Sequence, residues 1–190
     1  NYQKIMGWFD HWFEDDREVG PLSHWDDGFE YNDMNIGSGN AYPSNALSNF
    51  APHPFELDGI QINSMEGWLQ SLKFESEDMQ KHVCTLVGYG AKKKGSKKNW
   101  KQSQTLYWKG KEFKRSSKEY QDLLDKAYTA LYQNEKFKAA LLASGKSTLT
   151  HSIGRTKETE TVLTVKEFCS RLTKLRDNGT LKEVKSKKLL

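Results

Sequence analysis

The chain has 190 residues, 36% hydrophobic and 12% aromatic, with 29 Lys+Arg against 25 Asp+Glu for a formal charge of +4. So many aromatics exclude intrinsic disorder, and the lack of any run near ~18 apolar residues excludes a membrane-spanning helix. Acidic residues in the opening segment stand where a signal peptide needs an apolar stretch, and Cys84 and Cys169 have neither CxxC nor Cys/His spacing, so a single domain with short extensions in a reducing cytoplasm is expected.

The first elements follow from apolar spacing. Trp8, Phe9, Trp12 and Phe13 share one face of a short amphipathic helix, within an acidic, aromatic extension over residues 1–40 that is expected to pack on the domain. Residues 35–45 read as a loop, and Phe55–Leu57 and Ile60–Ile62 flank Asp58-Gly59, a strong hairpin signal. A helix is predicted from Asn63 to Ser76 and another over Glu77–Val87, ending at Gly88/Gly90 before a lysine-rich loop.

A second hairpin is predicted about Lys109-Gly110, between Leu106–Trp108 and Glu112–Phe113. Ser116 to Glu119 forms a capping box ahead of Tyr120, Leu123, Leu124, Ala127 and Leu131, which recur at helical spacing. A helix over Asn134–Ser144 stops at Gly145, and a Thr164–Glu167 box starts a last helix carrying Phe168, Leu172 and Leu175. The expected fold class is mainly α with short β-hairpins (α+β), one domain over 41–180 and a basic tail over 181–190.

Charge is unevenly placed. Residues 1–40 hold nine acids against Lys4 and Arg17, a net −7, so the remainder carries +11; Lys92–Arg115 alone holds ten cations and one acid, +9. Trp100, Tyr107, Trp108 and Phe113 are interleaved with those cations, and phosphate attraction combined with base stacking is how a protein holds a nucleotide or a strand. Lys97, Lys98 and Lys101 are the candidate nucleic-acid contacts; a solvated lysine-rich loop is the alternative for 92–98.

Several motifs fail on spacing. Gly145-Lys146-Ser147 lacks the upstream glycine of a phosphate loop, and His11, His24, His53, His82 and His151 show no metal-ligand spacing. No cofactor or metal is expected.

The helix starting at Asn63 is more informative. At about 100° per residue, Glu66, Gln70 and Lys73 form a narrow polar stripe between apolar flanks that include Trp68, Leu69, Leu72 and Phe74. Such a stripe must find partners or line a cavity, because an unpaired buried charge is costly. Two readings remain open: Glu66 and Lys73 are site residues, or Asn63 is an N-cap with Glu66 as its box partner and Lys73 pairs with a surface acid.

Leu47-Ser48-Asn49-Phe50, the hairpin, and then Ser64, Glu66, Gln70, Lys73 and Phe74 resemble the hallmark of the NADAR (YbiA-like) superfamily, in a phage-type form. The later stretches Trp108 to Tyr120 and Leu149 to Gly154 are similar too, so the resemblance covers about residues 41–177. It departs at Gly154–Glu158, where bacterial members have a different pattern. The resemblance implies an N-glycosidase that removes ADP-ribose from guanine, including guanine in DNA, and so reverses toxin-type DNA ADP-ribosylation in the host cytoplasm. Its alternatives are cleavage of a riboflavin-pathway phosphoribosylamine, or an ADP-ribose or nucleic-acid binding module without catalysis.

By the same resemblance Glu66 and Lys73 are catalytic. Lys73 attacks the ribose to give a Schiff base, or else only binds phosphate or a ribose hydroxyl. Asn49, Phe50, Gln70, Trp108, Arg115, His151 and Gly154 bind substrate, with Trp108 or Phe50 on the base and Arg115 on the pyrophosphate. Trp108 is preferred to Trp100 as pocket tryptophan for its spacing to Arg115. The implied partner is an ADP-ribosylated nucleic acid or another ADP-ribose-containing ligand; no protein partner and no membrane are implied.

Overall fold

The computed structural model describes residues 32–183. The amphipathic helix expected around Trp8 to Phe13, and residues 184–190 of the basic tail, lie outside the described residues.

Strand β1 (Met34–Asn35) is only two residues long and pairs in parallel with β6 (Leu149–Thr150), in the register Met34 to Leu149 and Asn35 to Thr150. Neither was predicted, because two residues carry no readable period. A short helix, α1 (Ser44–Leu47), follows within the expected loop and its neighbour. Both hairpins form where Asp58-Gly59 and Lys109-Gly110 predicted them: β2 (Phe55–Leu57) pairs with β3 (Ile60–Ile62), and β4 (Thr105–Trp108) with β5 (Lys111–Lys114). All four turn residues have positive φ, as a two-residue type I′ turn requires.

Helix α2 (Met65–Ser71) lies at the centre, with every one of its residues buried. It is shorter than the predicted Asn63–Ser76 segment. Helices α3 (Glu77–Cys84) and α4 (Gly88–Ser96) pack against it. The lysine-rich segment is therefore helical up to Ser96 and not a loop. Three glycines make Gly88–Ser96 a poor helix by propensity, but Ala91 and Gly95, four residues apart, are both buried and let the helix lie close on α2.

Helix α5 (Lys118–Leu131) buries the predicted Tyr120, Leu123, Leu124, Ala127 and Leu131, each large apolar side chain worth roughly 1.5–3 kcal/mol of burial. Its N-cap is Ser117, whose Oγ accepts from the Tyr120 amide; the cap lies one residue beyond the expected Ser116, and with Tyr120 at N3 the predicted capping box does not form. Helix α6 (Glu135–Ala143) starts at the Asn134 cap and is followed by Gly145 at φ 58. Helix α7 (Val165–Asn178) opens on the predicted Thr164–Glu167 capping box and ends at left-handed Gly179. Seven helices and short strands among the described residues make the fold α+β.

Candidate active site

The position of Glu66 is set by a cap that sequence reading misplaced. Ser64, not Asn63, is the N-cap of α2: its Oγ accepts from the Gly67 amide at 3.0 Å and donates to the Leu86 carbonyl at 2.9 Å. Asn63 instead donates its side-chain amide to the Thr85 carbonyl at 3.0 Å. Glu66 is thus no capping-box partner, and its carboxylate is free to face inward. Its own amide donates to the Asn49 carbonyl at 2.9 Å, while Asn49 Oδ1 accepts from the Tyr128 hydroxyl at 2.9 Å. The Ser48-Asn49-Phe50 segment is in this way fastened to both α2 and α5.

The polar side of α2 opens into a cleft of about 400 Å³, which Glu66 and Gln70 line together with Lys73 from the turn after the helix, Asn49 and Phe50. Glu66 is 9% exposed and accepts from Gln70 Nε2 at 2.8 Å. Burial pushes its carboxyl above the usual range, against the opposing pull of the Gln70 hydrogen bond and the charges of Lys92 and Lys73. Lys73 moves the other way. Desolvation, with the charges of Lys101 and Lys92 assisting, outweighs the Glu66 charge that favours the ammonium form and lowers it to about 8. Gln70 Oε1 is buried without a hydrogen-bond partner, on the side facing Gly95 of α4.

His151 and Gly154 reach the same cleft from the turn after β6. The His151 ring is fixed by an Nδ1 contact of 2.8 Å to the Ile36 carbonyl and an edge-on contact with Phe168 at 5.4 Å. Gly154 is required by space, since a β-carbon there would stand 2.4 Å from Val165 Cγ2 and 2.7 Å from His151 Cδ2. Lys98 and Lys101 line the cleft, but Lys97 does not. Lys92 lines it as well, with its ammonium 5.8 Å from the Phe50 ring centroid. It was visible in the sequence only as one of a run of cations. Glu160 is a second cleft carboxylate, 3.6 Å from Arg155, which no sequence pattern marked.

Two sequence expectations are corrected. Trp108 is not in the cleft; Trp100 is. The Trp108 ring packs edge-on against Trp68 at 5.9 Å and its Nε1 donates to Asp58 at 2.8 Å. Trp68 follows Glu66 by two residues, about 200° around the helix, so its partner lies on the face away from the stripe. Arg115 is also absent from the lining: it is 1% exposed and makes a two-pronged ion pair with Glu167 at 3.0 and 2.7 Å, while Nε donates to the Thr161 carbonyl at 2.8 Å. It holds α7 and the 161–164 segment, whose residues form part of the cleft wall, and at this depth of burial its guanidinium is not presented to a pyrophosphate.

A buried carboxyl with raised pKa beside an amine with lowered pKa is suited to proton transfer and nucleophilic attack in one enclosed space. Residues 41–177 match the bacteriophage protein GP30.3 family, and the chain belongs to that family. It is 41% identical over 150 residues to a 17.1 kDa protein of Enterobacteria phage T4 from the Gp30–rIII intergenic region, a match covering 77% of this chain and 98% of that one. The fold is similar to the NMR structure of the E. coli protein YbiA, with a TM-score of 0.51 and 17% identity over 78% of this chain and 85% of that one. The chain is thus a GP30.3-family protein with a fold similar to that of YbiA. No described helix is long and apolar enough to cross a membrane.

Proposed function

We propose that this protein is an N-glycosidase that cleaves the ribosyl C–N bond of an ADP-ribosylated base, with ADP-ribosyl-guanine in DNA as substrate. The observation that carries the reading is the placement of Glu66, on buried α2, and Lys73, in the turn just after it, in one cleft that Lys92, Lys98 and Lys101 also line. The lysines suit a ligand rich in phosphate, and Trp100 and Phe50 offer rings for a base.

In this reaction the neutral Lys73 amine attacks the anomeric carbon with its lone pair. The C–N bond to the base breaks, its electron pair leaves on the base nitrogen, and that nitrogen takes the Glu66 carboxyl proton. The proton on the new C–N nitrogen passes to the ring oxygen as the sugar opens to an imine. Water then adds to the imine carbon and expels Lys73, releasing ADP-ribose, while Glu66 recovers a proton from the attacking water. Asn49 and Gln70 hold Glu66 from its backbone and its carboxylate respectively.

The test is incubation with an oligonucleotide carrying ADP-ribosyl-guanine and, separately, with the riboflavin-pathway ribosylamine. Release of ADP-ribose and restoration of unmodified guanine is the expected result. Release of sugar phosphate from the ribosylamine alone transfers the assignment to that substrate, and tight binding without release leaves a binding module.

A further inference from the structure

We propose that Ile153 is a wedge that enters the base stack of duplex DNA as the modified guanine leaves it; the inference rests on the reading of an ADP-ribosylated base in DNA. Glu66 is 91% buried in the cleft wall, with Gln70 and Lys73 beside it. A base held in a duplex shows only its edge, at the bottom of a groove about 6–12 Å wide, so side chains recessed in a cleft cannot come within bonding distance of it. The base must come out, and the gap it leaves is stabilised when an apolar side chain fills it.

A filling side chain has to be apolar, exposed in the free protein, rigidly presented and placed at the cleft. The large exposed apolar residues among those described are Tyr42, Tyr89, Leu142 and Ile153, and of these only Ile153, at 79% exposure, lines the cleft. A single exposed apolar residue is ordinary; its support is not. The Ser152 amide donates to Asn35 Oδ1 at 2.8 Å, the Gly154 amide donates to the His151 carbonyl at 3.0 Å, and Gly154 is wedged between Val165 and His151. Ile153 therefore stands on a turn fixed on both sides, and its β-branch restricts its own χ1 rotation. Little entropy remains to be lost on insertion. Lys92, Lys98 and Lys101 in the same cleft supply the charge to hold the flanking phosphates.

The experiment compares wild type, Ile153→Ala and Leu142→Ala on three substrates: ADP-ribosyl-guanosine, a single-stranded oligonucleotide and a duplex, each with one ADP-ribosylated guanine. A wedge predicts a loss of tenfold or more in kcat/KM for Ile153→Ala on the duplex, a smaller loss on the single strand and less than twofold on the nucleoside, with Leu142→Ala unchanged throughout. Equal losses on nucleoside and duplex mean that Ile153 packs on the ligand itself and overturn the proposal, as does an unchanged duplex rate. A 2-aminopurine next to the modified guanine gives a readout independent of cleavage. Its fluorescence should rise when wild type binds the duplex, and the rise should be lost in Ile153→Ala. If wild type cleaves none of the three substrates, the glycosidase reading fails, and this fluorescence still decides the wedge: no rise with wild type overturns it.

Discussion

A β-carbon on Gly95 would stand 1.8 Å from Gln70 Oε1 and 2.9 Å from Gln70 Cβ, so α4 lies against α2 at the residue that holds the Glu66 carboxylate. Gly→Ala inside a helix ordinarily adds up to ~1 kcal/mol of stability. Here the sign should reverse. Gln70 Cβ cannot be moved by a rotamer change, and overpacking costs about 1–3 kcal/mol. Gly95→Ala is expected to lower the melting temperature and, by displacing Gln70 from Glu66, to reduce turnover about tenfold by the scale of a lost hydrogen bond to a charged group. A stabilised, fully active variant would contradict the contact.

The Arg115–Glu167 pair predicts a fold effect in place of a substrate effect. Arg115→Ala leaves a carboxylate of 12% side-chain exposure without its fork, and breaking such a pair costs about 3–5 kcal/mol. Arg115→Lys should rescue little, since one ammonium cannot replace the two-pronged contact. Burial pushes the Glu167 carboxyl up, but hydrogen bonds from Arg115, the Thr164 amide and Gln121 outweigh it and hold the group below its usual range. A depressed carboxyl stabilises the fold above the unfolded-state pKa and loses that contribution as pH falls through the lower folded-state value. Urea denaturation across the acid range should show this loss in wild type and a flatter acid limb in Arg115→Ala. A large loss of substrate affinity with unchanged stability would instead return Arg115 to the ligand.

These two sites also show what was legible in the sequence. The type I′ turns at Asp58-Gly59 and Lys109-Gly110 and the Thr164–Glu167 box are local, each specified by residues within one turn of one another. The stripe was legible because helical spacing aligns Glu66 with Gln70, and the turn after α2 brings Lys73 to the same cleft. What could not be read depends on partners far along the chain. Glu167 is 52 residues from Arg115, and the helicity of Gly88–Ser96 depends on the surface that α2 offers to Ala91 and Gly95. The choice between Trp100 and Trp108 turned on which side of α2 each hairpin or loop occupies, and no local period encodes that.

Salt dependence should separate the lysines. Each phosphate contact contributes about 0.9 to the slope of log affinity against log salt for duplex DNA and about 0.7 for a single strand. Lys98 and Lys101 line the cleft and Lys97 does not. Lys98→Ala and Lys101→Ala are therefore each expected to flatten the slope by roughly that amount, and Lys97→Ala to leave it unchanged. Binding titrations of a Glu66→Gln protein, from low to moderate salt, measure this without cleavage; a slope that falls only with Lys97 would put the nucleic acid outside the cleft.

Lys73 gives the sharpest test of chemistry. An amine attacks only when unprotonated, and Lys73 is lowered from 10.5 to about 8 by burial, with the Lys101 and Lys92 charges assisting. Neutral Lys73 and a protonated Glu66 are both needed, so the rate should follow a bell-shaped pH profile with one limb set by Lys73 at about 8. Removing a neighbouring cation relieves repulsion of the ammonium form, so Lys101→Gln should move this limb to higher pH. Removing the Glu66 charge acts oppositely: in Glu66→Gln the limb should move to lower pH, with turnover reduced about 10²-fold or more by loss of the acid. Stability provides a second reading with its own sign. A lysine with depressed pKa favours the fold above its unfolded value of 10.5, and that contribution is lost as pH falls through about 8. Lys73→Met should therefore be less sensitive to pH between about 8 and 10.5 than wild type. Borohydride added during turnover should trap one sugar adduct on Lys73, and Lys73→Arg should abolish trapping and activity together, because the guanidinium stays protonated. An active Lys73→Arg protein without an adduct would make Lys73 a charge clamp and leave Glu66 to activate water directly.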